Sequence, residues 1–132
     1  MPINKLRNAL KKALTPPDDP LTPLEREEEL EAVLDRSHTE PVVLFKHSLT
    51  CGISSMARRE VLKLAQEHDV PVYEVVVQRA RPLSNRIAER FAIRHESPQV
   101  LVFRDGQPVF HTSHGAIQTE RLVGVLSTPT SS

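Results

Sequence analysis

The 132-residue chain contains one cysteine, Cys51, which is the residue best suited to covalent chemistry. A single cysteine cannot form an intrachain disulfide, and it excludes zinc fingers and CxxC redox motifs. Ser48, Leu49 and Thr50 precede Cys51 and Gly52 follows it, so the flanking residues are mostly small or polar, as in a loop that a substrate can reach. A structural cysteine would instead act as a small buried hydrophobe. The flanking residues therefore favour a reactive thiol.

Hydrophobic runs on both sides of the cysteine predict the strands that must position it. Residues 41–45, 70–77 and 99–103 are largely apolar and bounded by polar residues, which is typical of buried strands. Asp105-Gly106 separates the third run from a fourth at residues 108–111, and this dipeptide is a strong signal of a β-hairpin. The sequence therefore predicts four strands, the last two of which form a hairpin.

Helices are predicted before, between and after these strands. The first begins at residues 22–25, where Thr-Pro-Leu-Glu has the pattern of a capping box. The second runs from about residue 52 to 68, the third begins at Pro82, and Thr119 caps the last. From residue 42 the order is β-α-β-α-β-β-α, which is the thioredoxin-like arrangement. We therefore expect an α/β fold with a mixed four-stranded sheet, flanking helices and an extra N-terminal helical segment.

Cys51 lies directly before the first turn of the second predicted helix. The backbone N–H groups of such a turn have no helical partner, and the helix dipole favours an anion. A helix N-terminus lowers the pKa of a cysteine from about 8.5 to roughly 3.5–7.5, and the thiolate is the nucleophilic form. The hydroxyl groups of Thr50 and Ser54 are expected either to donate hydrogen bonds to the thiolate or only to cap the helix.

Ser97-Pro98, at the start of the third predicted strand, is a second candidate for the site. Proline cannot donate to a strand ladder, so it belongs at the first residue of a strand or at a sheet edge. In thioredoxin-like folds a cis proline at this place lies beside the reactive cysteine. The residue before it keeps its N–H and C=O free to bind a substrate disulfide as an added strand segment. The position favours a cis bond well above the general frequency of about 5–6%, although the sequence leaves the isomer open.

Two histidines are candidate modulators of the thiol. His47 lies four residues before the cysteine and His95 three residues before the proline. Either imidazole could face the thiolate, lower its pKa as a cation or move a proton to the departing thiol, and either could be a surface residue without a role. His111 and His114 have a spacing that suits a metal, but no carboxylate or cysteine is near them in sequence, so no metal site is expected.

Two motifs make the chain resemble a known family. The stretch HSLTCGIS at residues 47–54 is similar to the active-site stretch of the monothiol bacilliredoxins (the YtxJ family, in the thioredoxin-like superfamily), whose usual form is TCPIS. The stretch HESPQ at residues 95–99 is the second match, and the resemblance covers roughly residues 40–125. Either motif alone is weak, whereas the pair at this separation is specific. One residue departs from the pattern, because Gly52 replaces the proline of the family.

The resemblance implies thiol–disulfide exchange with bacillithiol, a low-molecular-weight thiol of certain Gram-positive and related bacteria. Cys51 would attack the mixed disulfide of an S-bacillithiolated protein, release that protein reduced and keep bacillithiol. A second thiol from solution would regenerate Cys51, since Ser54 stands where a resolving cysteine could be. No tightly bound cofactor is implied, and bacillithiol is the thiol co-substrate. The expected substrate-binding residues are Thr50, Gly52, Ser54, Ser97 and Pro98.

Two other functions stay open. A Cys-Gly-x-Ser core also occurs in monothiol glutaredoxins, as CGFS, and these can bridge a [2Fe–2S] cluster with glutathione. The segment after Gly106 lacks the Gly-Gly-(Cys)-Asp of that family and has the sequence HTSHG at residues 111–115. The second alternative is a thioredoxin-like binding module with an inert thiol. Residue spacing alone does not distinguish bacillithiol from glutathione.

Composition limits the partners and the location. The 17 Lys and Arg residues balance 17 Asp and Glu residues, which favours neither a nucleic acid nor a membrane as partner. No apolar run approaches the roughly 18–20 residues of a transmembrane helix, and residues 1–14 lack the apolar core of a secretory signal. We therefore expect a cytoplasmic protein. Residues 1–21 are predicted to be a basic amphipathic segment with a proline-rich linker, and residues 22–132 the thioredoxin-like domain.

Overall fold

The computed structural model describes residues 20–128, which form one mixed sheet with helices packed on both faces. The strands are β1 (Thr22–Pro23), β2 (Val42–His47), β3 (Val72–Val76), β4 (Gln99–Arg104) and β5 (Gln107–Ser113). The helices are α1 (Glu27–Arg36), α2 (Gly52–Glu67), α3 (Arg81–Phe91) and α4 (Thr119–Ser127), with a 3₁₀ turn (His114–Ala116) before α4. None of these helices is long and apolar enough to cross a membrane.

The order of the strands in the sheet is β1-β3-β2-β4-β5. β1 and β2 run parallel to β3, whereas β4 runs antiparallel to β2 and forms a hairpin with β5. At the hairpin turn Asp105 and Gly106 both have positive φ, 53° and 76°, the conformation that an Asp-Gly turn requires. The predicted order of elements from residue 42 and the thioredoxin-like α/β class are confirmed. The predicted segment before residue 20 lies outside the described residues, and the domain boundary near residue 21 stays a prediction.

The chain before β2 differs from its prediction, because the expected capping box does not begin a helix. Thr22 and Pro23 form the edge strand β1, so the sheet has five strands instead of the predicted four. Two leucines explain the difference: Leu21 and Leu24 are both buried, and the N–H of Leu24 donates to the carbonyl of Glu74. Proline is tolerated in β1 because an edge strand has backbone positions that need no partner.

Helix α1 is capped one turn later than the sequence predicts. It begins at Glu27, and the capping acid is Glu29. Oε1 of Glu29 accepts the backbone N–H groups of Arg26 at 2.9 Å and of Glu25 at 3.0 Å. Three acidic residues in the first turn also suit the positive end of the helix dipole. The expected type of cap is therefore present, but at another residue.

Alternation along the buried strands divides the core into two layers. In β2, Leu44 packs with α1 and α3, whereas Val43 and Phe45 pack with α2 and α4. The same alternation directs Lys46 to the α3 side and His47 to the α2 side, and both side chains are buried. Two polar groups thus enter opposite core layers at the end of β2 that leads to the cysteine.

Helix α4 is capped by a side chain of α2. Its N-cap residue, Gln118, makes no side-chain capping bond. Instead, the N–H of Thr119 donates to Oε1 of Glu60 at 2.9 Å, and the hydroxyl of Thr119 lies 2.9 Å from the same oxygen. These bonds lower the pKa of Glu60 below its ordinary value. The carboxylate therefore joins the two helices that cover one face of the sheet.

Replacing Glu60 with alanine is expected to lower the free energy of unfolding by about 1 kcal/mol, the typical effect of losing a helix cap. The deficit should shrink as the pH falls below about 4, because a carboxylate with a lowered pKa stabilises the fold only while it is ionised. Urea unfolding at neutral and at acidic pH measures both effects. Glu67→Ala, at the exposed end of α2, is the control. The capping role would be contradicted if both variants lost the same free energy of unfolding, or if the loss in Glu60→Ala did not change with pH.

Candidate active site

Cys51 is the N-cap residue of α2 and ends a four-residue connection from β2. Its backbone is extended, with φ −109° and ψ 120°, and its carbonyl accepts the N–H of Ser55 at 3.2 Å. The thiol is free, partly buried and makes no capping bond of its own. The sulfur therefore belongs to the residue that opens a 16-residue helix, next to backbone N–H groups without helical partners.

Ser54 and His47 meet in the core below this connection. The Ser54 hydroxyl is fully buried, accepts the N–H of Ser48 at 2.9 Å, and lies 2.7 Å from Nδ1 of His47. The imidazole stacks on Phe45 with ring centroids 5.5 Å apart. Burial lowers the pKa of His47, so the ring is neutral at pH 7. His47 is not a surface residue, and its hydrogen bond joins β2 to the first turn of α2.

Gln78 holds the residues just before the cysteine. Its Oε1 accepts the N–H of Leu49 at 3.1 Å, and its Nε2 donates to the hydroxyls of Ser48 at 3.0 Å and Thr50 at 3.5 Å. The sequence analysis did not single out this residue. The signal was available, because residues that follow two parallel neighbouring strands come to the same edge of the sheet, and the N–H of Val77 donates to the carbonyl of the last β2 residue.

The Ser97-Pro98 segment lies beside the end of β2. Lys46 pairs with Gln99 across the two antiparallel strands, so Pro98 comes level with the last residue of β2. The peptide bond between Ser97 and Pro98 is cis. The carbonyl of Pro98 accepts the N–H of His114 at 3.1 Å, whereas the N–H and C=O of Ser97 have no hydrogen-bond partner within residues 20–128. An unpaired backbone position therefore lies at this edge of the sheet.

His95 lies on the α3 side of the sheet, where Nδ1 is 3.3 Å from Nζ of Lys46 and 3.2 Å from the hydroxyl of Ser84. Burial lowers the pKa of His95, and the nearby cations of Lys46 and Arg81 lower it further. Among the described residues, neither His95 nor His47 forms a hydrogen bond with the cysteine. The two predicted modulators thus occupy different core layers.

The other predicted residues have simpler surroundings. A side chain added at Gly52 would meet no atom within 4 Å. His111 and His114 follow the hairpin turn, and within residues 20–128 no group of three or more His, Cys, Asp or Glu side chains could hold a metal ion. Apolar side chains flank the thiol: Leu49, Ile53 and Met56 are 53%, 50% and 66% exposed. All three lie on the connection before Cys51 or in the first turns of α2, and we call them the apolar rim.

A sequence model of the monothiol bacilliredoxin BrxC family matches residues 22–122. The chain belongs to the monothiol bacilliredoxin family. The match includes Cys51, the Ser97-Pro98 segment and both motifs of the sequence analysis, so the predicted resemblance is confirmed. Family and fold together make this bacilliredoxin a thiol oxidoreductase, and its single cysteine fits a monothiol.

Solved structures agree with this assignment. The chain is 34% identical to a protein described as a candidate oxidoreductase with a thioredoxin fold, with a TM-score of 0.74 over 79% of this chain and 91% of that one. It is 17% identical to a thioredoxin of Schistosoma mansoni (TM-score 0.64; 80% and 94% covered). It is 24% identical to a mutant thioredoxin of Halobacterium salinarum (TM-score 0.63; 85% and 91% covered). The two thioredoxins show a shared fold only.

Replacing Gln78 with alanine removes the amide that holds residues 48–50. We expect the rate of exchange with bis(2-hydroxyethyl) disulfide to fall about five- to thirtyfold, because the loss of one or two hydrogen bonds of about 1 kcal/mol each corresponds to that range. The melting temperature should change little, since Gln78 is exposed. Gln66→Ala removes an exposed amide of α2 and is the matched control. An unchanged rate in the Gln78 variant would show that the amide does not position the loop.

Replacing Gly52 with proline restores the usual residue of the family and is expected to stabilise the protein by about 0.5–1 kcal/mol. Position 52 is the first residue of α2, where proline is favoured, and Cys51 already has the extended backbone that a following proline needs. The matched control is Gly124→Pro. A side chain added at Gly124 would also meet no atom within 4 Å, but this residue lies inside α4, where proline should destabilise the protein by about 3 kcal/mol. Urea unfolding measures both. A destabilised Gly52 variant would show that glycine is required at the site.

Proposed function

We propose that this bacilliredoxin removes bacillithiol from S-bacillithiolated proteins in a reducing cytoplasm, with Cys51 as its catalytic residue. The observation that carries the proposal is a free, partly exposed thiol at the N-terminus of α2 in a chain of the monothiol bacilliredoxin family. Membership of the family supports exchange with bacillithiol, and the position of Cys51 at a helix N-terminus supports its role as the nucleophile. No tightly bound cofactor takes part, and bacillithiol is both the group removed and the small-molecule co-substrate.

In the first step, the Cys51 thiolate attacks the bacillithiol sulfur of the mixed disulfide. A new sulfur–sulfur bond forms to Cys51, the old one breaks, and the client cysteine leaves as a thiolate that takes a proton from water. The N–H groups of the first turn of α2, beginning at Gly52, favour the anionic attacking sulfur. Because exchange is reversible, the same N–H groups assist when Cys51 later becomes the leaving group.

The substrate disulfide binds between the thiol and the Ser97-Pro98 segment. The free N–H and C=O of Ser97 accept a short extended stretch of the substrate as an added strand segment. The apolar rim of Leu49, Ile53 and Met56 contacts the client protein around its modified cysteine. Polar binding and apolar contact are thus supplied by different residues.

The second step needs a thiol from outside the chain. A second low-molecular-weight thiolate attacks the bacillithiol sulfur held on Cys51 and releases Cys51 as a thiolate and bacillithiol as a small disulfide. No internal thiol competes with it, because the chain has one cysteine. The position three residues later is Ser54, whose hydroxyl is hydrogen-bonded to Ser48 and His47. The hydroxyls of Ser54 and Thr50 hold the connection from β2, and His47 acts as a positioning residue through Ser54.

A bacillithiolated peptide tests the proposal directly. The protein is mixed with a peptide that carries one bacillithiolated cysteine, and intact masses are followed with time. We expect Cys51 to gain one bacillithiol while an equal amount of peptide becomes reduced, and Cys51→Ser to do neither.

Three results would overturn the proposal. Faster exchange with the matching glutathionylated peptide would assign the protein to glutathione. The absence of exchange with both peptides and with bis(2-hydroxyethyl) disulfide would make it a binding module with an inert thiol. Anaerobic incubation with iron and sulfide should leave the protein colourless, and stable visible absorption would favour an iron–sulfur carrier.

A further inference from the structure

Lys46 is a fully buried cation one residue before the end of β2. Burial lowers the pKa of its ammonium group to about 8. Within residues 20–128 no carboxylate lies within 4.0 Å of its Nζ, so no ion pair offsets the loss of hydration. A buried charge without an opposite charge nearby is destabilising, and replacing buried ionic groups with apolar side chains of similar size is often neutral or stabilising. Stability alone therefore does not account for Lys46.

The contacts of Lys46 fix the protonation state of His95. Nζ of Lys46 donates to the carbonyl of Ser84 at 3.0 Å and lies 3.3 Å from Nδ1 of His95. An ammonium group can only donate hydrogen bonds, so Nδ1 must be the acceptor. The imidazole is then neutral and carries its proton on Nε2. Lys46 thus selects one of the two neutral tautomers of His95.

These contacts are made at the base of the segment that carries Ser97 and Pro98. Lys46 lies opposite Gln99 in the β2–β4 pair, and Nε2 of Gln99 donates to the carbonyl of Arg94 at 3.0 Å. The hydrogen bond between Gln99 and Arg94 therefore closes residues 94–99 into a loop, and Lys46 attaches this loop to β2 through His95. The hydroxyl of Ser84, 3.2 Å from Nδ1 of His95, attaches the same segment to α3.

We propose that Lys46 is a positioning residue of the exchange site, which holds neutral His95 against β2 and α3 and thereby aligns the free backbone of Ser97 with the thiol. The alignment of Ser97 with the thiol rests on the proposed function, in which the backbone of Ser97 binds the substrate. Lys46 does not touch the substrate or the sulfur; it acts through residues 95–98.

Acid should disrupt this arrangement. A proton added at Nδ1 of His95 makes both partners donors, so the contact with Lys46 must break. The charged groups that act on His95 are Lys46 of β2, Arg81 of α3 and Glu96 of its own segment, and only Glu96 favours the imidazolium. The net result is a lowered pKa of His95, so the neutral form persists until the pH falls below the ordinary value of about 6.5.

The test compares Lys46→Met with Lys63→Met, the same substitution at an exposed position of α2. We expect Lys46→Met to keep or raise the melting temperature while it lowers the rate of exchange with the bacillithiolated peptide at least tenfold. Nitrogen-15 NMR of the histidine rings should show the Nε2–H tautomer of His95 in the parent protein. In Lys46→Met the pKa of His95 should move towards about 6.5. Lys63→Met should change none of these.

A second variant, His95→Gln, keeps an acceptor for Lys46 without a titratable group. As the pH falls below the ordinary imidazole value of about 6.5, exchange by the parent protein should weaken more than exchange by His95→Gln, because only the parent adds loss of the Lys46 contact to protonation of the attacking thiolate. The inference is overturned if Lys46→Met exchanges at the parent rate, or if His95 of the parent carries its proton on Nδ1. All rates are also measured with bis(2-hydroxyethyl) disulfide. A protein active on that disulfide but not on the bacillithiolated peptide would contradict the proposed function and still test Lys46.

Discussion

The position of the thiol depends on how little chain separates β2 from α2. Four residues connect His47 to Gly52, and the last of them is the N-cap of the helix. The sulfur therefore lies at the positive end of a helix because of the topology, without a side-chain capping hydrogen bond of its own. The connection is held from both sides, since Ser54 binds it from within α2 and Gln78 binds it from the end of β3.

Strand β2 also holds the second half of the site, which is the segment before Pro98. Lys46 and His47 are adjacent in β2 and therefore enter opposite core layers, where each meets a hydroxyl: Ser84 beside His95 in one layer and Ser54 in the other. One group of contacts fixes the connection before the cysteine, and the other fixes the segment before Pro98. Both imidazoles have a lowered pKa, chiefly because they are buried. The two halves of the site are thus held by histidines that form no hydrogen bond with the sulfur within residues 20–128.

The elements that were predictable from the sequence are those whose signals are local. Continuous apolar runs identify central strands because such strands are buried on both faces, and Asp105-Gly106 identifies the hairpin because the turn needs positive φ at both residues. The residues at 22–25 mislead because a local helix-start pattern is outweighed by the burial of Leu21 and Leu24 at the sheet edge. Lys46 could not be assigned a role, because its partners depend on which strands and helices become neighbours. Gln78 could have been placed near the cysteine, because it follows a strand predicted to run parallel to β2.

The size of the group left on Cys51 decides whether a one-cysteine cycle can run on the proposed mechanism. Attack at the client sulfur would leave a whole protein on Cys51, covering the apolar rim and blocking the next thiol. Attack at the bacillithiol sulfur leaves only a small polar adduct, so Leu49, Ile53 and Met56 return to water when the client departs. Re-exposing this rim favours the docking of another client, whereas a small thiol needs only the partly open sulfur. A rim around a single thiol therefore suits a cycle in which the large partner leaves first.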